Sequence, residues 1–419
     1  MTLFADLLST VFERRYRPWG PVRRDSRPVT ALVADLMGGA GEVTGAGLAR
    51  QIIDRYGEMD DDAKLDFFRH IATNLAIVPS ALRAALDAYE AEGQSKATYR
   101  AVMAASEPPR QELIRRLNQV PGATKSLVRM RADLLRLARG DEALQALDLD
   151  FRHLFASWFN RGFLVLRRIS WESPADILEK IIAYEAVHAI DSWDDLRRRL
   201  QPKDRRCFAF FHPAMPDEPL IFVEVALTRG IAGSVQALLS ENREVLLAQD
   251  ADTAVFYSIS NCQAGLAGIS FGNMLIKQVA ADLAAELPGL KTFITLSPIP
   301  GFTSWLSQQH PQASKPDGET LRALAAHYLA EAKRPDGMPL DPVARFHLGN
   351  GAQLHDVHLN ADTSPIGVRQ SLGVMVNYHY DLKKVAENHE RFATSQTVAM
   401  SSGFRSLSAN ATKLLTEEA

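Results

Sequence analysis

Cysteine is almost missing: the 419-residue chain carries only Cys207 and Cys262. One pair at this length excludes a disulfide framework, and no C-x-x-C spacing is present to begin a zinc site. Long apolar runs are missing too. No stretch approaches the roughly 18 uninterrupted apolar residues of a spanning helix, so no transmembrane segment and no membrane partner are expected. Charge of one sign is not in excess, since 47 Lys and Arg against 50 Asp and Glu leave a net charge of -3. No global field favours nucleic acid, and any polyanionic ligand must be held by local basic groups. The segment Met1–Arg17 places apolar residues before arginines, the reverse of a secretory signal. Its amphipathic, arginine-containing character slightly resembles an organelle transit peptide, but Asp6 and Glu13 argue mildly against one, and Thr416–Ala419 forms no peroxisomal tripeptide. A cytoplasmic location is expected.

What is present is globular in composition, with 46% hydrophobic and 23% charged residues. The length exceeds what one core usually serves, so two domains are expected. From about Ala31 to Phe159 apolar residues recur three and four apart, as in Leu65, Phe68, Ile71 and Leu75, or Leu127, Met130, Leu134 and Leu137. This predicts an all-helical first domain, 1–160, ending near Trp158–Gly162. Beyond it, β-branched and aromatic segments appear at Arg206–Phe211, Leu220–Leu227, Ala254–Ile259 and Thr292–Leu296. The proline-rich stretch His212–Pro219 suits a hairpin between the first two. A helix expected over Gly272–Leu287 between the latter two gives a βαβ unit. The second domain, 161–419, is therefore α/β.

Four places there could carry chemistry. The loop Gln263-Ala264-Gly265-Leu266-Ala267-Gly268 follows an expected strand and precedes an expected helix, which suits either a phosphate cradle or a plain turn. It is neither a Walker P-loop nor a G-x-G-x-x-G fingerprint. Leu296-Ser297-Pro298-Ile299-Pro300-Gly301-Phe302 forms a stiff backbone at a strand's C-terminal end, where open α/β sheets bind ligands. No G-x-S-x-G elbow surrounds Ser297, which weakens a serine-hydrolase reading. His347 precedes a Gly-Asn-Gly turn and is either a general acid or a structural histidine. His355 and His358 could share a metal with Asp356 or Asp362, but without a convincing third ligand the expected metal content is none. The basic run Arg197, Arg198, Arg199, Lys203, Arg205 and Arg206 reads as a solvated face or a phosphate contact.

Several ordered motifs together resemble the malonyl-CoA decarboxylase family. They are Phe159-Asn160-Arg161-Gly162-Phe163-Leu164, Ile169-Ser170-Trp171-Glu172-Ser173-Pro174, Glu185-Ala186-Val187-His188 and Phe256-Tyr257-Ser258-Ile259-Ser260. The Leu296–Phe302 segment, Phe346-His347-Leu348-Gly349-Asn350-Gly351-Ala352 and Asn377-Tyr378-His379-Tyr380 complete the set. The resemblance covers most of Phe151–Leu382. It implies a helical N-terminal domain, then a GNAT-like acetyltransferase-fold catalytic domain; a role of the first domain in oligomerisation is expected separately, because soluble oligomers are commonly homo-oligomers. The resemblance also implies that Gln263–Gly268, with Ser270, binds coenzyme A, and that Ser297 and His347 form a catalytic pair with Tyr380 and Asn377 near them. Ser270 stands where some members have a glutamate, so a carboxylate partner is missing or differently supplied. A homo-oligomer, dimer or tetramer, is expected.

The chemistry implied is conversion of malonyl-CoA to acetyl-CoA and CO2 through a stabilised thioester enolate. The thioester carbonyl is the electron sink, so no cofactor is required beyond the coenzyme A that the substrate carries. Ser297 would hydrogen-bond the leaving carboxylate and His347 protonate the enolate carbon, or the roles would be exchanged. The rival readings are a GNAT-type acyltransferase, which passes an acyl group to an amine, and a non-catalytic acyl-CoA-binding protein. CO2 release without an acceptor separates them. The Arg197–Arg206 run is expected to meet the adenosine 3′-phosphate.

Overall fold

The computed structural model describes residues 25–39, 41–269, 275–309 and 317–417. Its N-terminal region is helical: α1 (Val29–Met37), α2 (Glu42–Gly57), α3 (Asp61–Asn74), α4 (Pro79–Ala91), α5 (Lys96–Ser106), α6 (Pro109–Asn118), α7 (Ala123–Leu137) and α8 (Glu142–Trp158). The three-and-four spacing does what it predicts. In α7 it buries Leu127, Met130 and Leu134, and in α8 it buries Leu144, Leu147, Phe151, Leu154 and Phe155. Asp141 caps α8 by accepting from the amides of Ala143 and Leu144 at 3.1 and 3.2 Å. The chain divides into two compact units: Met1–Val165 with Phe211–Glu218 and Gln263–Ser270, and Leu166–Phe210 with Pro219–Cys262 and Phe271–Ala419.

The second unit is built on a mixed sheet. Its strands are β1 (Val165–Ile169), β2 (Arg205–Phe211), β3 (Ile221–Thr228), β4 (Thr253–Asn261), β5 (Thr292–Thr295), β6 (Ser297–Pro298), β7 (Gln353–His358) and β8 (Met375–His379). They lie in the order β1-β2-β3-β4-β5-β8-β6, with β7 also paired to β8. β2, β3 and β4 are antiparallel neighbours, while β4 and β5 run parallel across the helix Leu275–Glu286. The expected βαβ unit is thus present, its helix described from Leu275 onward. A helical N-terminal region followed by a mixed-sheet domain is the architecture the sequence predicts. Among the described residues no helix is long and apolar enough to cross a membrane.

One feature of the sheet makes room for a ligand. β4 and β5 pair only from Thr253–Thr292 to Phe256–Thr295, and the Leu296 amide donates to the Phe256 carbonyl at 2.9 Å. Past that bond β4 continues against β3 alone, while Ser297 and Pro298 turn to pair with Val376 and Met375 of β8. The strands part, and a pocket opens in the gap.

The basic run divides: Arg197 and Lys203 are exposed and Arg198 is half-buried, as a solvated face requires, while three of its arginines correct that expectation. Arg199, Arg205 and Arg206 are buried, so they are neither a solvated face nor available to a ligand phosphate. Burial is tolerated because each guanidinium is hydrogen-bonded internally. Arg199 donates to the carbonyls of His188 (2.8 Å) and Ala189 (2.9 Å), to Asp195 (2.9 Å) and to Glu224 (3.3 Å). Arg205 donates to the carbonyls of Asp204 and Leu238, and Arg206 to Lys203 and Arg205 and to Glu286. Arg197 instead lies 5.0 Å over the Trp171 ring. Arg199→Met should therefore cost about 3–5 kcal/mol, because buried acceptors lose their donor. Urea unfolding measures it; a loss under about 1 kcal/mol, typical of surface pairs, contradicts the assignment.

Candidate active site

Strand alternation places Thr295 and Ser297 on one face and Leu296 on the other. Ser297 donates its hydroxyl to Thr295 Oγ1 at 2.8 Å, and Thr295 Oγ1 also accepts from the Tyr378 amide at 3.1 Å. His347 arrives on the helix Pro342–Gly349, which begins with proline and is capped by Asp341 through the amides of Val343 and Ala344, both at 2.9 Å. His347 Nε2 lies 3.1 Å from Ser297 Oγ, and Nδ1 lies 2.9 Å from the Tyr380 hydroxyl. Tyr378 stacks on the imidazole with centroids 4.3 Å apart and planes inclined by 22°. Ser297, His347 and Tyr380, three expected site residues, thus form one hydrogen-bonded chain.

The Ser297–Thr295 bond selects a direction for that chain, and the histidine tautomer is assigned from it. The Ser297 proton is directed to Thr295, so Ser297 Oγ accepts from His347 Nε2–H. Nδ1 then accepts from the Tyr380 hydroxyl, which burial keeps protonated by pushing its pKa well above the ordinary tyrosine range. Burial pushes the His347 pKa down to about 3, so the ring is a neutral donor at physiological pH. In this arrangement the serine proton points away from the imidazole, whereas in a nucleophile–base dyad it would point at it.

The pocket beside the pair has a volume of about 230 Å3. Its walls include Phe256, Tyr257 and Ile259 of β4, Pro298, and Phe346 beside the histidine. Among the described residues lining it, none carries a formal charge: the polar groups are Tyr257, Asn261, Ser297 and His347. A carboxylate entering it would lose water without gaining a cation.

Asn377 does not join the chain, because it sits on the opposite face of β8 from Tyr378 and Tyr380. Its amide donates to the Thr295 carbonyl at 2.7 Å and its oxygen meets His358 Nε2. The His355 ring packs edge-on against His379 at 5.7 Å, and Asp356 is hydrogen-bonded to Arg322. Thr295 and Tyr378 are site residues that sequence reasoning missed. The signals were available: Thr295 is two residues before Ser297 on a strand, and Tyr378 is two before Tyr380.

The loop Gln263–Gly268 belongs to the other compact unit. Gln263 Nε2 approaches Glu218 Oε2 at 3.4 Å, and Ala264–Leu266 form a single 3-10 turn. Gly265 lies against α7, where an added Cβ would meet the Val128 carbonyl oxygen at 1.8 Å. Gly268 holds φ +76°. Ser270 lies outside the described residues.

Two outcomes follow from the hydrogen-bonded chain. Tyr380→Phe removes the donor that fixes the His347 tautomer, and kcat should fall about ten- to a hundredfold with KM little changed, as a buried acceptor losing its partner costs about 1–3 kcal/mol. A kcat within about twofold of wild type contradicts that role. The second concerns pH. With His347 near 3 when folded and near 6.5 when unfolded, the unfolded chain takes up a proton that the folded one refuses. Stability from this group is complete above the unfolded value and is lost as pH falls from there towards the folded one. Between about pH 7 and pH 5 wild type should lose about 2 kcal/mol more than His347→Gln, by denaturant unfolding. An equal loss in both proteins contradicts the shift.

Comparison with known proteins adds the family. A family model described as malonyl-CoA decarboxylase C-terminal domain matches residues 162–320 and 312–418, and one described as malonyl-CoA decarboxylase N-terminal domain matches 78–159. The mitochondrial malonyl-CoA decarboxylase of Anser anser anser is 36% identical, over 70% of this chain and 68% of that protein. Its counterpart in Mus musculus is 34% identical, over 70% of each. Crystal structures of malonyl-CoA decarboxylase superpose at 47% identity. The one from Rhodopseudomonas palustris has a TM-score of 0.84, covering 90% of this chain and 98% of that one. The one from Agrobacterium vitis has a TM-score of 0.85, covering 91% and 99%. With both domain models matched in order and more than two thirds of curated relatives covered, the chain belongs to the malonyl-CoA decarboxylase family.

Proposed function

We propose that this chain converts malonyl-CoA to acetyl-CoA and CO2, with Ser297 and His347 as the catalytic pair. The observation that carries the reading is a pair of neutral hydrogen-bond donors at the edge of a pocket whose described walls bear no charge. In the reaction the bond between C2 and the carboxylate carbon breaks. Its electron pair moves into the thioester, giving an enolate, and CO2 leaves. C2 then takes a proton to give the acetyl group.

A localised carboxylate is poorly solvated in such a pocket, whereas the transition state spreads its charge towards the thioester oxygen and releases an apolar molecule. The differential favours the transition state. Ser297 turns its hydroxyl from Thr295 to the substrate carboxylate. His347 offers Nε2–H to the developing enolate and delivers that proton to C2 while Nδ1 takes the Tyr380 hydroxyl proton, so the charge left by decarboxylation reaches the Tyr380 oxygen, which regains a proton from solvent. A neutral imidazole suits this role, because it polarises an oxyanion without being quenched by the substrate carboxylate. The coenzyme A phosphates are held on Gln263–Gly268, whose glycines allow close approach of the backbone. A cytoplasmic location and a homo-oligomer assembled through the helical region belong to the same proposal.

Purified protein with malonyl-CoA, and with neither cofactor nor amine acceptor added, should release acetyl-CoA and CO2 in equal amounts. Ser297→Ala and His347→Ala should each lower kcat about a hundredfold to a thousandfold, the usual cost of one lost oxyanion donor. A requirement for an acceptor, or near-full activity in both folded variants, contradicts the proposal.

A further inference from the structure

The coenzyme A loop is held by a buried arginine of α7. Arg131 is 2% exposed and donates Nη1 to the carbonyls of both Gly265 (2.7 Å) and Ala267 (2.9 Å), while its Nε pairs with Asp148 Oδ1 at 2.7 Å. A trans peptide points its C=O and N–H in opposite directions. With the Ala267 carbonyl drawn to Arg131, the Gly268 amide is turned the other way. Among the described residues that amide has no acceptor, and Gly268 is exposed. The glycine is required there, since φ is +76°.

A second group faces the same spot. A Cβ built on Gly268 would lie 3.8 Å from both Nε and Cζ of Arg152 on α8. Arg152 is exposed and has no ion-pair or hydrogen-bond partner among the described residues. An outward amide and a guanidinium without a carboxylate thus lie side by side, the two kinds of donor that a phosphate accepts from.

We propose that Arg152 and the Gly268 amide bind the pyrophosphate of coenzyme A, so that the helical region supplies a side chain to substrate binding. Arg131 is the positioning residue that aims the amide. The proposal rests on the reading of Gln263–Gly268 as the coenzyme A element. It gives α8 a role in affinity that the catalytic pair does not share.

The test is calorimetric binding of coenzyme A, 3′-dephospho-coenzyme A and pantetheine to the full chain, compared with Arg152→Ala, Arg152→Lys and Gly268→Ala. Arg152 is exposed and unpaired, so its variants should fold. Arg152→Ala should weaken both nucleotide ligands about tenfold, leave pantetheine unchanged, and lose much of the salt dependence of binding. Arg152→Lys should recover part of the loss, and Gly268→Ala should weaken the same two ligands. Unchanged coenzyme A affinity in Arg152→Ala, or an equal loss for pantetheine, overturns the proposal. So does a loss confined to coenzyme A, which would move the contact to the 3′-phosphate. A wild type that binds no coenzyme A removes the loop reading and this site together. Coenzyme A binding without malonyl-CoA turnover removes only the decarboxylase reading.

Discussion

The parting of two parallel strands after a single hydrogen bond, Leu296 amide to Phe256 carbonyl, is the constraint on which the rest depends. Up to that bond β5 is a sheet strand like any other. Beyond it Pro298 and Pro300 have no amide protons to continue a ladder with β4, and the chain crosses to β8. That crossing exposes the inner face of β4 at Tyr257, Ile259 and Asn261 and sets Ser297 at the mouth of the gap. It also brings Ser297 opposite Val376, one strand residue from Asn377 and two from Tyr378. The same strand therefore fixes the serine through backbone pairing and the histidine through Tyr378 and Tyr380.

Charge is distributed in keeping with this. The second unit buries ionisable groups freely where they are structural, as with Arg199 and Glu224, whose carboxyl is pushed up to about 8 by burial. The described residues of the pocket wall carry none. The groups proposed to act are instead neutral and mutually hydrogen-bonded, from Tyr380 through His347 to Ser297 and Thr295. A chain of neutral donors in a low-dielectric setting is electrostatically strong without repelling or trapping an anionic substrate. Asp341, at about 6 through burial, is occupied in capping the helix that carries His347.

Much of this was legible in the sequence, for reasons that differ by element. Helical periodicity alone gave α7 and α8, because their apolar faces bury local neighbours three and four apart. The segments β2 to β5 were legible because buried strands are rich in β-branched and aromatic residues. β7 and β8 were not, since Gln353–His358 and Met375–His379 mix histidine, asparagine and aspartate with apolar residues. Ser297 and His347 were found through motif and resemblance, yet their neutral protonation came only from burial in the fold. Asn377 and the arginine run show the converse. Residue type suggested chemistry or a solvated face, while side-chain direction keeps Asn377 out of the hydrogen-bonded chain and internal carbonyl partners occupy Arg199 and Arg205. Arg131 gave no motif signal, because a residue that orients another is visible only by what it touches.

The central claim is that His347 works as a neutral imidazole carrying its proton on Nε2. Nitrogen-15 NMR of histidine-labelled protein, with His347→Gln to assign the signal among the 11 histidines, reads this directly. The account predicts a neutral, Nε2-protonated ring whose shifts stay constant from about pH 7 to about pH 5. A ring that becomes imidazolium within that interval, or that carries its proton on Nδ1, contradicts it.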